Sequence, residues 1–343
     1  MTSLRTTFEN LLEPVSAKCE IARKCQRISS HLPHNVGVQG SYWTTNIGDR
    51  AIGESIYQKL GGEQKDIRLF SNHIQRSNAA IHVLGGGGVM HDFYGVDHLR
   101  RRLDYVEDGG AIIGVGVPGV QSDTGKRLLS EGLSDVRLIT VRDERSRNRL
   151  KPYYDGEIHL TACPALTLKN PSVPTTDKTG VSFRPWFDLD KETLKNYFGY
   201  NEKIQIEDAK EKYIENIRDI CNSVRNPVFI PFHIDDERFA KRHLDIEVYP
   251  YVYSVEETLK RVSSVNRMVA MRYHALVFSI ICRKPVLAID YSPKVSSLAS
   301  RVGVSSYRPH EYIPIEFEEI SNRDKIRESS EKNFQYLNQL YQI

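Results

Sequence analysis

Strand and helix signals alternate along this chain of 343 residues. Short apolar runs that suit buried strands are each followed by a segment with helical spacing. In the first half, strands are predicted at residues 36–39, 67–70, 79–84, 111–115 and 138–141, and helices at 50–60, 96–107, 124–131 and 142–150. Such alternation is typical of parallel β-α units whose sheet is covered by helices on both faces.

The alternation pauses at a stretch rich in proline and threonine, residues 168–179, which is predicted to be a linker. It then resumes, with strands at 180–183, 228–231, 268–271 and 286–289 and helices at 255–265, 294–302 and 320–340. The sequence therefore predicts two α/β domains, residues 1–170 and 178–310, followed by a helical segment, 311–343. A cleft should lie between the carboxyl ends of the two sheets.

Composition narrows the classes of function. Charged residues make up 27% and hydrophobic residues 40% of the chain, which is ordinary for a soluble protein. A net charge of +3 is too small to indicate nucleic-acid binding. No window resembles a transmembrane segment or the apolar core of a signal peptide. The five cysteines include no Cys-x-x-Cys pair, so we expect a cytoplasmic protein without disulfides or structural zinc.

Residues 3–28 have the apolar spacing of an amphipathic helix that also carries several basic side chains. Packing of this helix on a sheet is its commoner use. The alternative is peripheral contact with a membrane that carries a lipid-linked substrate.

A candidate anion site lies at the junction between the strand at 268–271 and the helix that follows it. Arg272 and His274 fall at this junction, where ligands bind in open α/β sheets. A guanidinium and an imidazole at the start of a helix suit a phosphate or carboxylate, with an acid-base group beside it.

Two further cations follow neighbouring strands. Arg184 ends the first strand of the second half, and Pro185 favours an extended conformation for it. Arg184 and Arg272 are therefore expected at equivalent strand ends, where two guanidinium groups can clamp a small dianion. Lys294 follows the strand at 286–289 and can meet a phosphate. The alternative for both residues is a solvated surface position.

The first half offers two candidate loops. Asn46-Ile47-Gly48-Asp49 precedes a helix, and Asp49 suits the N-cap of that helix, so an anion site and an ordinary capped loop are both possible. Four glycines, residues 85–88, end a strand just before His91 and Asp92. This run fits neither a dinucleotide fingerprint nor a Walker A loop, and its backbone can approach a ligand closely.

A third polar cluster, His233, Asp235 and Asp236, follows the strand at 228–231. These side chains can bind a metal or sugar hydroxyls, or cap the next helix. Capping or hydroxyl binding is favoured over a metal, because no further cluster completes a coordination shell.

Taken in order, these motifs resemble those of the polysaccharide pyruvyl transferase family over about residues 36–302. The matching segments are Asn46 to Asp49, Gly85 to Asp92, Gly114 to Pro118, Arg142 to Ser146, Arg184, Arg272 to Ala275, and Tyr291 to Lys294. One departure stands out, since the family usually has an aspartate before the proline where this chain has Cys163-Pro164.

The resemblance implies two Rossmann-like domains facing across a cleft, as in the GT-B fold, and transfer of pyruvate from phosphoenolpyruvate to two hydroxyls of a sugar. It implies binding of phosphoenolpyruvate by Arg184, Arg272, His274 and Lys294, and catalysis by His274, Arg272 and Asp49. Acceptor binding would fall to Asn46, Asp49, Gly86, Gly87, His91 and Asp92. We expect no metal and no organic cofactor. The acceptor sugar, its attachment to a lipid or a polymer, and the oligomeric state stay open.

Two other functions compete with this one. A glycosyltransferase that uses a sugar nucleotide can be built on the same scaffold. A non-catalytic binding protein can also retain the fold, but the joint presence of Arg184, Arg272, His274 and Lys294 argues against a decayed site.

Overall fold

The computed structural model describes residues 24–186, Lys195 and residues 206–342. Its first domain is built on a parallel sheet with the strand order β2-β1-β3-β4-β5-β6. The strands are β1 (His34–Gly40), β2 (Ile67–Ser71), β3 (Ala79–Gly87), β4 (Ala111–Val115), β5 (Leu138–Val141) and β6 (Ile158–Leu160). The α-helices are α1 (Ile47–Lys59), α2 (Val96–Val106), α3 (Asp123–Gly132) and α4 (Glu144–Leu150), and the 3-10 segments are Gly62–Lys65, Lys151–Tyr153 and Pro164–Thr167.

The second domain has a parallel sheet with the strand order β12-β11-β10-β7-β8-β9. Its strands are β7 (Thr179–Ser182), β8 (Pro227–Phe229), β9 (Glu247–Val248), β10 (Arg267–Ala270), β11 (Val286–Ile289) and β12 (Ser306–Tyr307). The helices are α5 (Ile206–Ser223), α6 (Ile234–His243), α7 (Val255–Ser264), α8 (Tyr273–Cys282), α9 (Pro293–Arg301) and α10 (Arg323–Tyr341). Two parallel six-stranded sheets with intervening helices confirm the predicted fold class, two Rossmann-like domains of GT-B type.

Helix α8 is the most deeply buried helix of the second domain. All ten of its residues are buried, as expected for a helix that is apolar on every side. It packs against α1 and against the 3-10 segment Pro164–Thr167 of the first domain. The start of α8, with Arg272 at its N-cap, is thereby fixed against the other domain.

Helix α10 leaves the second domain and returns to the first. Asn333 donates a hydrogen bond from Nδ2 to the Ala162 carbonyl (2.9 Å) and accepts one at Oδ1 from Thr161 Oγ1 (2.7 Å). Ser330 Oγ donates to the Cys163 carbonyl over 2.7 Å. These buried bonds tie the C-terminal segment to the base of the N-terminal domain.

The N-terminal helix predicted at residues 3–28 lies outside the described residues up to residue 23, and residues 24–31 are helical. Between the 3-10 segment Pro164–Thr167 and β7 the chain has no regular element, in agreement with the predicted linker. Among the helices that the structure describes, none combines the length and apolar character needed to cross a bilayer.

Candidate active site

A cavity of about 470 Å³ lies between the carboxyl ends of the two sheets. Its wall includes the predicted residues Asn46, Asp49, His91, Arg184, Arg272 and Lys294. It continues into a recess of about 50 Å³, which Asn46, Asp49, Arg272 and Lys294 share with His274. The structure thus brings together most of the predicted site residues, which come from both domains.

Arg272 is held in place by a buried carboxylate. Its Nε donates to Asp236 Oδ2 over 2.6 Å, and its Nη2 donates to Asp236 Oδ1. Asp236 is fully buried, and its Oδ2 also accepts a hydrogen bond from the Phe232 amide. Burial lowers the pKa of Arg272, but Asp236 outweighs it and raises that pKa. The ion pair with Asp236 uses only part of the five N–H groups of the Arg272 guanidinium. It therefore fixes the orientation of this side chain and leaves its other N–H groups free to bind a ligand.

Tyr291 is surrounded by cations. The Arg184 guanidinium lies 4.7 Å and Lys294 Nζ lies 5.2 Å from the centre of its ring. Burial raises the pKa of the Tyr291 phenol, but Lys294 and Arg184 oppose it and lower the pKa to about 7. Burial in turn lowers the pKa of Lys294. Lys294 was predicted from the sequence to contact a phosphate. Tyr291 begins the same Tyr-x-x-Lys motif, which is the sequence feature that could have identified it.

His274 lies in the first turn of α8 and packs on the first domain. A Cβ atom at Gly48 would lie 1.8 Å from His274 Nδ1, so residue 48 must be a glycine for this contact to form. On the other side, Cys163 Sγ lies 3.7 Å from His274 Nε2. Burial, together with Arg142, Lys294 and Arg272, lowers the pKa of His274 far below its usual range. The imidazole is therefore neutral at pH 7 in the absence of a ligand.

Asp49 occupies the third position of α1 and faces the recess. The prediction that Asp49 caps this helix is wrong, because Asn46 is the N-cap and its Oδ1 accepts a hydrogen bond from the Gly48 amide (3.0 Å). Because Asn46 accepts the hydrogen bond from the Gly48 amide, the carboxylate of Asp49 is not used as the cap of this helix. Burial raises the pKa of Asp49 to about 6.

Only part of the glycine loop reaches the cavity. Gly88 and His91 line it, whereas Gly86 packs so closely on α1 that a Cβ atom would lie 2.2 Å from Ile52. Gly87 has φ +80°, which favours glycine. Burial and Arg102 lower the pKa of His91 to about 3, so this ring is neutral.

Asp92 supports the loop before α3. Its carboxylate accepts hydrogen bonds from the Ser122 amide (2.8 Å) and hydroxyl (2.7 Å) and from the Gln121 amide (3.1 Å). These contacts hold the loop behind the cavity wall. An acceptor-binding role for Asp92, Gly86 and Gly87 stays a prediction.

The cluster at residues 233–236 caps α6. His233 is the N-cap, and its Nδ1 accepts a hydrogen bond from the Asp235 amide (3.1 Å). His233 Nε2 lies 2.7 Å from Thr45 Oγ1 of the other domain. In the described part of the chain, no group of three His, Cys, Asp or Glu side chains could hold a metal ion. His233 is therefore the N-cap of α6, whereas Asp236 pairs with Arg272.

Several arginines of the first domain also line the cavity, although the sequence analysis did not single them out. They are Arg102, Arg142, Arg145 and Arg149. Arg142 is 5% exposed and lies 4.4 Å from the centre of the Tyr273 ring, across the domain boundary. Arg142 and Arg145 belong to the Arg-Asp-Glu-Arg-Ser motif at the start of α4, which is the sequence feature that could have identified them.

Fold and site together define a two-domain α/β protein with an arginine-rich cleft between two parallel sheets. A family model described as polysaccharide pyruvyl transferase matches residues 46–293, which is most of the chain. The chain therefore belongs to the polysaccharide pyruvyl transferase family, and the resemblance inferred from its motifs is confirmed. A search of curated proteins gave no significant match.

Solved structures resemble the chain at low identity. A functionally uncharacterised protein from Klebsiella pneumoniae subsp. pneumoniae is 13% identical, with a TM-score of 0.47 over 85% of this chain and 98% of that chain. UDP-GlcNAc 2-epimerase from Methanocaldococcus jannaschii is 10% identical, with a TM-score of 0.47 over 90% and 99%. An alpha-glucosyltransferase in complex with UDP is 10% identical, with a TM-score of 0.39 over 89% and 96%. At this level of similarity, none of them bears on the function of this chain.

Proposed function

We propose that the protein transfers the pyruvyl group of phosphoenolpyruvate to two hydroxyls of a sugar in a polysaccharide, glycan or glycolipid precursor. The products are a cyclic pyruvate ketal and inorganic phosphate. The observation that carries the proposal is the convergence of Arg184, Arg272 and Lys294 beside the recess that contains Asp49 and His274.

The donor fits the charges of this region. Phosphoenolpyruvate has its phosphate ester and its carboxylate on the same enol carbon, and two guanidinium forks with one ammonium group complement such a ligand. Arg272 is already oriented by Asp236, which reduces the entropy lost on binding. Arg184 and Lys294 both lie close to the Tyr291 ring and supply the remaining positive charge.

The reaction requires one proton to be given and two to be removed. A proton added to the methylene carbon turns it into a methyl group and leaves a cationic carbon, which the first hydroxyl attacks. Phosphate then leaves, and the second hydroxyl closes the ketal. One of the two hydroxyl protons restores the group that donated the first proton. The other hydroxyl proton leaves with the phosphate.

His274 is the proposed proton donor and Asp49 the proposed base. Burial lowers the pKa of His274 and nearby cations lower it further, and a trianion bound by Lys294 and Arg272 offsets the charge of these two residues. Donor binding is therefore expected to raise the pKa of His274 and to bring a proton to the ring. Asp49, with a pKa of about 6, is ionised at neutral pH and suits the removal of a hydroxyl proton.

The test is to incubate the protein with phosphoenolpyruvate and a panel of sugar acceptors and to follow inorganic phosphate and ketal by NMR. We expect His274→Ala to abolish transfer and Arg184→Ala to weaken phosphoenolpyruvate binding at least tenfold. Release of a nucleoside diphosphate from sugar nucleotides, without turnover of phosphoenolpyruvate, would instead identify a glycosyltransferase.

A further inference from the structure

The cavity carries more positive charge than one donor molecule needs. Among the described residues that line it, seven are lysine or arginine and three are aspartate. Three of the cations form the proposed donor clamp, which leaves the four arginines of the first domain. The volume of the cavity is about 470 Å³. Cavities of this size hold drug-sized ligands, which are larger than phosphoenolpyruvate.

Arg145 and Arg149 are the most unusual of the four. They lie four residues apart on α4, so they are neighbours on one helix face, an arrangement that is unfavourable for like charges. Within the described parts of the chain, no carboxylate lies within 4.0 Å of either guanidinium. Burial lowers the pKa of Arg145. Burial and Arg145 lower the pKa of Arg149 to about 10, so Arg149 stays charged at neutral pH.

Arg147 on the same helix behaves as an ordinary surface residue. Its Nη2 lies 2.8 Å from Glu144 Oε2, and its side chain is 42% exposed. The helix therefore neutralises its solvent-facing arginine and leaves the two cavity-facing arginines without a counter-ion. This contrast indicates that the missing anion comes from a ligand.

Arg142 extends the same surface towards the recess. Its Nε is buried and has no hydrogen-bond partner among the described residues, and Asp143 Oδ2 lies 3.6 Å away. Asp143 is itself engaged as the N-cap of α4, where it accepts a hydrogen bond from the Ser146 amide (2.7 Å). Arg149 is oriented by donation from Nη1 to the Val117 carbonyl (2.8 Å). Arg149 is thus positioned before any ligand arrives.

We propose that Arg142, Arg145 and Arg149 form a second anion subsite, which binds a phosphate or diphosphate group attached to the acceptor sugar. This inference rests on the proposed function, because it assumes that the donor occupies Arg184, Arg272 and Lys294. A single guanidinium can bind two phosphate oxygens at once. A cluster of three arginines therefore suits a phosphate ester better than a neutral sugar. A sugar nucleotide and a lipid-linked sugar diphosphate share this chemistry.

The first experiment measures binding alone. Inorganic pyrophosphate is titrated by calorimetry into protein saturated with phosphoenolpyruvate. We expect binding to the wild type, at least tenfold weaker binding to the double variant Arg145→Gln/Arg149→Gln, and unchanged binding to the matched control Arg147→Gln. The affinity for phosphoenolpyruvate should stay within twofold in both variants.

The outcomes separate the two proposals. If the saturated wild type does not bind pyrophosphate, or if the double variant binds it equally well, the second subsite is refuted while the donor site stands. If phosphoenolpyruvate does not bind to the wild type, the proposed function fails instead. Thermal melting of the double variant checks the fold, and removal of the two like charges should not lower its melting temperature.

The second experiment compares forms of one acceptor sugar, drawn from a panel of hexoses: the methyl glycoside, the 1-phosphate, the nucleotide sugar and the polyprenyl diphosphate in micelles. We expect the phosphate-bearing forms to have a KM at least tenfold lower, and we expect Arg145→Gln/Arg149→Gln to remove this advantage with little change in kcat. A lowest KM for the polyprenyl form or for the nucleotide sugar identifies the natural source of the phosphate. Equal KM values for all four forms would overturn the proposal.

Discussion

Tyr291 shows how a single residue can set the charge of the proposed donor site. With Lys294 and Arg184 beside it, the phenol has a pKa of about 7, so it loses its proton as the pH rises through neutrality. The phenolate then neutralises the cations that phosphoenolpyruvate needs. We expect the KM for phosphoenolpyruvate in the wild type to rise above pH 7, relative to Tyr291→Phe, in which this titration is absent. Because the phosphate of the donor titrates equally in both assays, the ratio of the two KM values between pH 6 and 9 isolates the phenol.

The same comparison has a clear negative outcome. If the wild-type and Tyr291→Phe profiles differ by a constant factor at every pH, Tyr291 does not titrate in this range and contributes only packing.

Cys163 lies beside His274 and adds no charge that would offset the effects of burial and of the nearby cations on the ring. The thiol lies 3.7 Å from Nε2, and burial raises its pKa to about 11, so it is neutral and cannot stabilise an imidazolium. We expect Cys163→Asp to raise the pKa of His274, because an adjacent carboxylate favours the charged ring. Since a proton donor is active only below its pKa, the pH at which kcat falls should move upward by roughly 1–2 units.

The control is Cys163→Ser, which keeps a small neutral side chain and should leave the kcat profile in place. Coincident profiles for Cys163→Asp and Cys163→Ser, with both proteins folded, would show that His274 does not supply the proton.

At the scale of elements, apolar patterning predicted the long strands and their order along the chain. Strands β6, β9 and β12 have only two or three residues and were not predicted, whereas the equally short β8 was predicted from its apolar run. Strand ends also located Arg184, Arg272 and Lys294, because the carboxyl ends of parallel strands share one edge. The roles of Tyr291, Arg145 and Arg149 depend on which charges lie nearby in the folded chain, and no local pattern contains that information.

The link between α6 and α8 provides a prediction at this scale. Asp236 on α6 is fully buried and fixes Arg272 at the N-cap of α8. Loss of one partner from a buried ion pair leaves the other charge uncompensated, at a cost of about 3–5 kcal/mol. We expect Asp236→Asn to lower the free energy of unfolding by about this amount in urea and to weaken phosphoenolpyruvate binding.

Asp235 on the same helix is a matched control. Its side chain is 50% exposed and lies 3.3 Å from Arg238 on the surface. Exposed pairs contribute about 0–1 kcal/mol, so Asp235→Asn should have a small effect. If Asp236→Asn and Asp235→Asn lower the free energy of unfolding equally, the ion pair between Asp236 and Arg272 stabilises the protein no more than a surface contact does.

At the scale of the whole molecule, the two domains meet at the site itself. The Ile47 amide donates to the Phe232 carbonyl over 2.9 Å, and the Tyr251 hydroxyl donates to the Thr45 carbonyl over 2.8 Å. The first of these bonds lies next to Gly48, on which His274 packs. Contacts between the domains and assembly of the proposed catalytic groups therefore depend on the same residues, and a change that separates the domains is expected to remove activity without unfolding either domain.

Gly48→Ala tests this coupling. Its Cβ atom would lie 1.8 Å from His274 Nδ1, so either the ring or the domain must move. Displacement of reacting groups by about 1 Å can reduce a rate roughly 100-fold, and we expect a loss in kcat of this order. Small-angle scattering should detect a larger radius of gyration than in the wild type. The double variant Gly48→Ala/His274→Ala removes the clash and should restore the wild-type radius, although it stays inactive because it lacks the imidazole. If Gly48→Ala keeps the wild-type radius and rate, closure does not depend on the contact between Gly48 and His274.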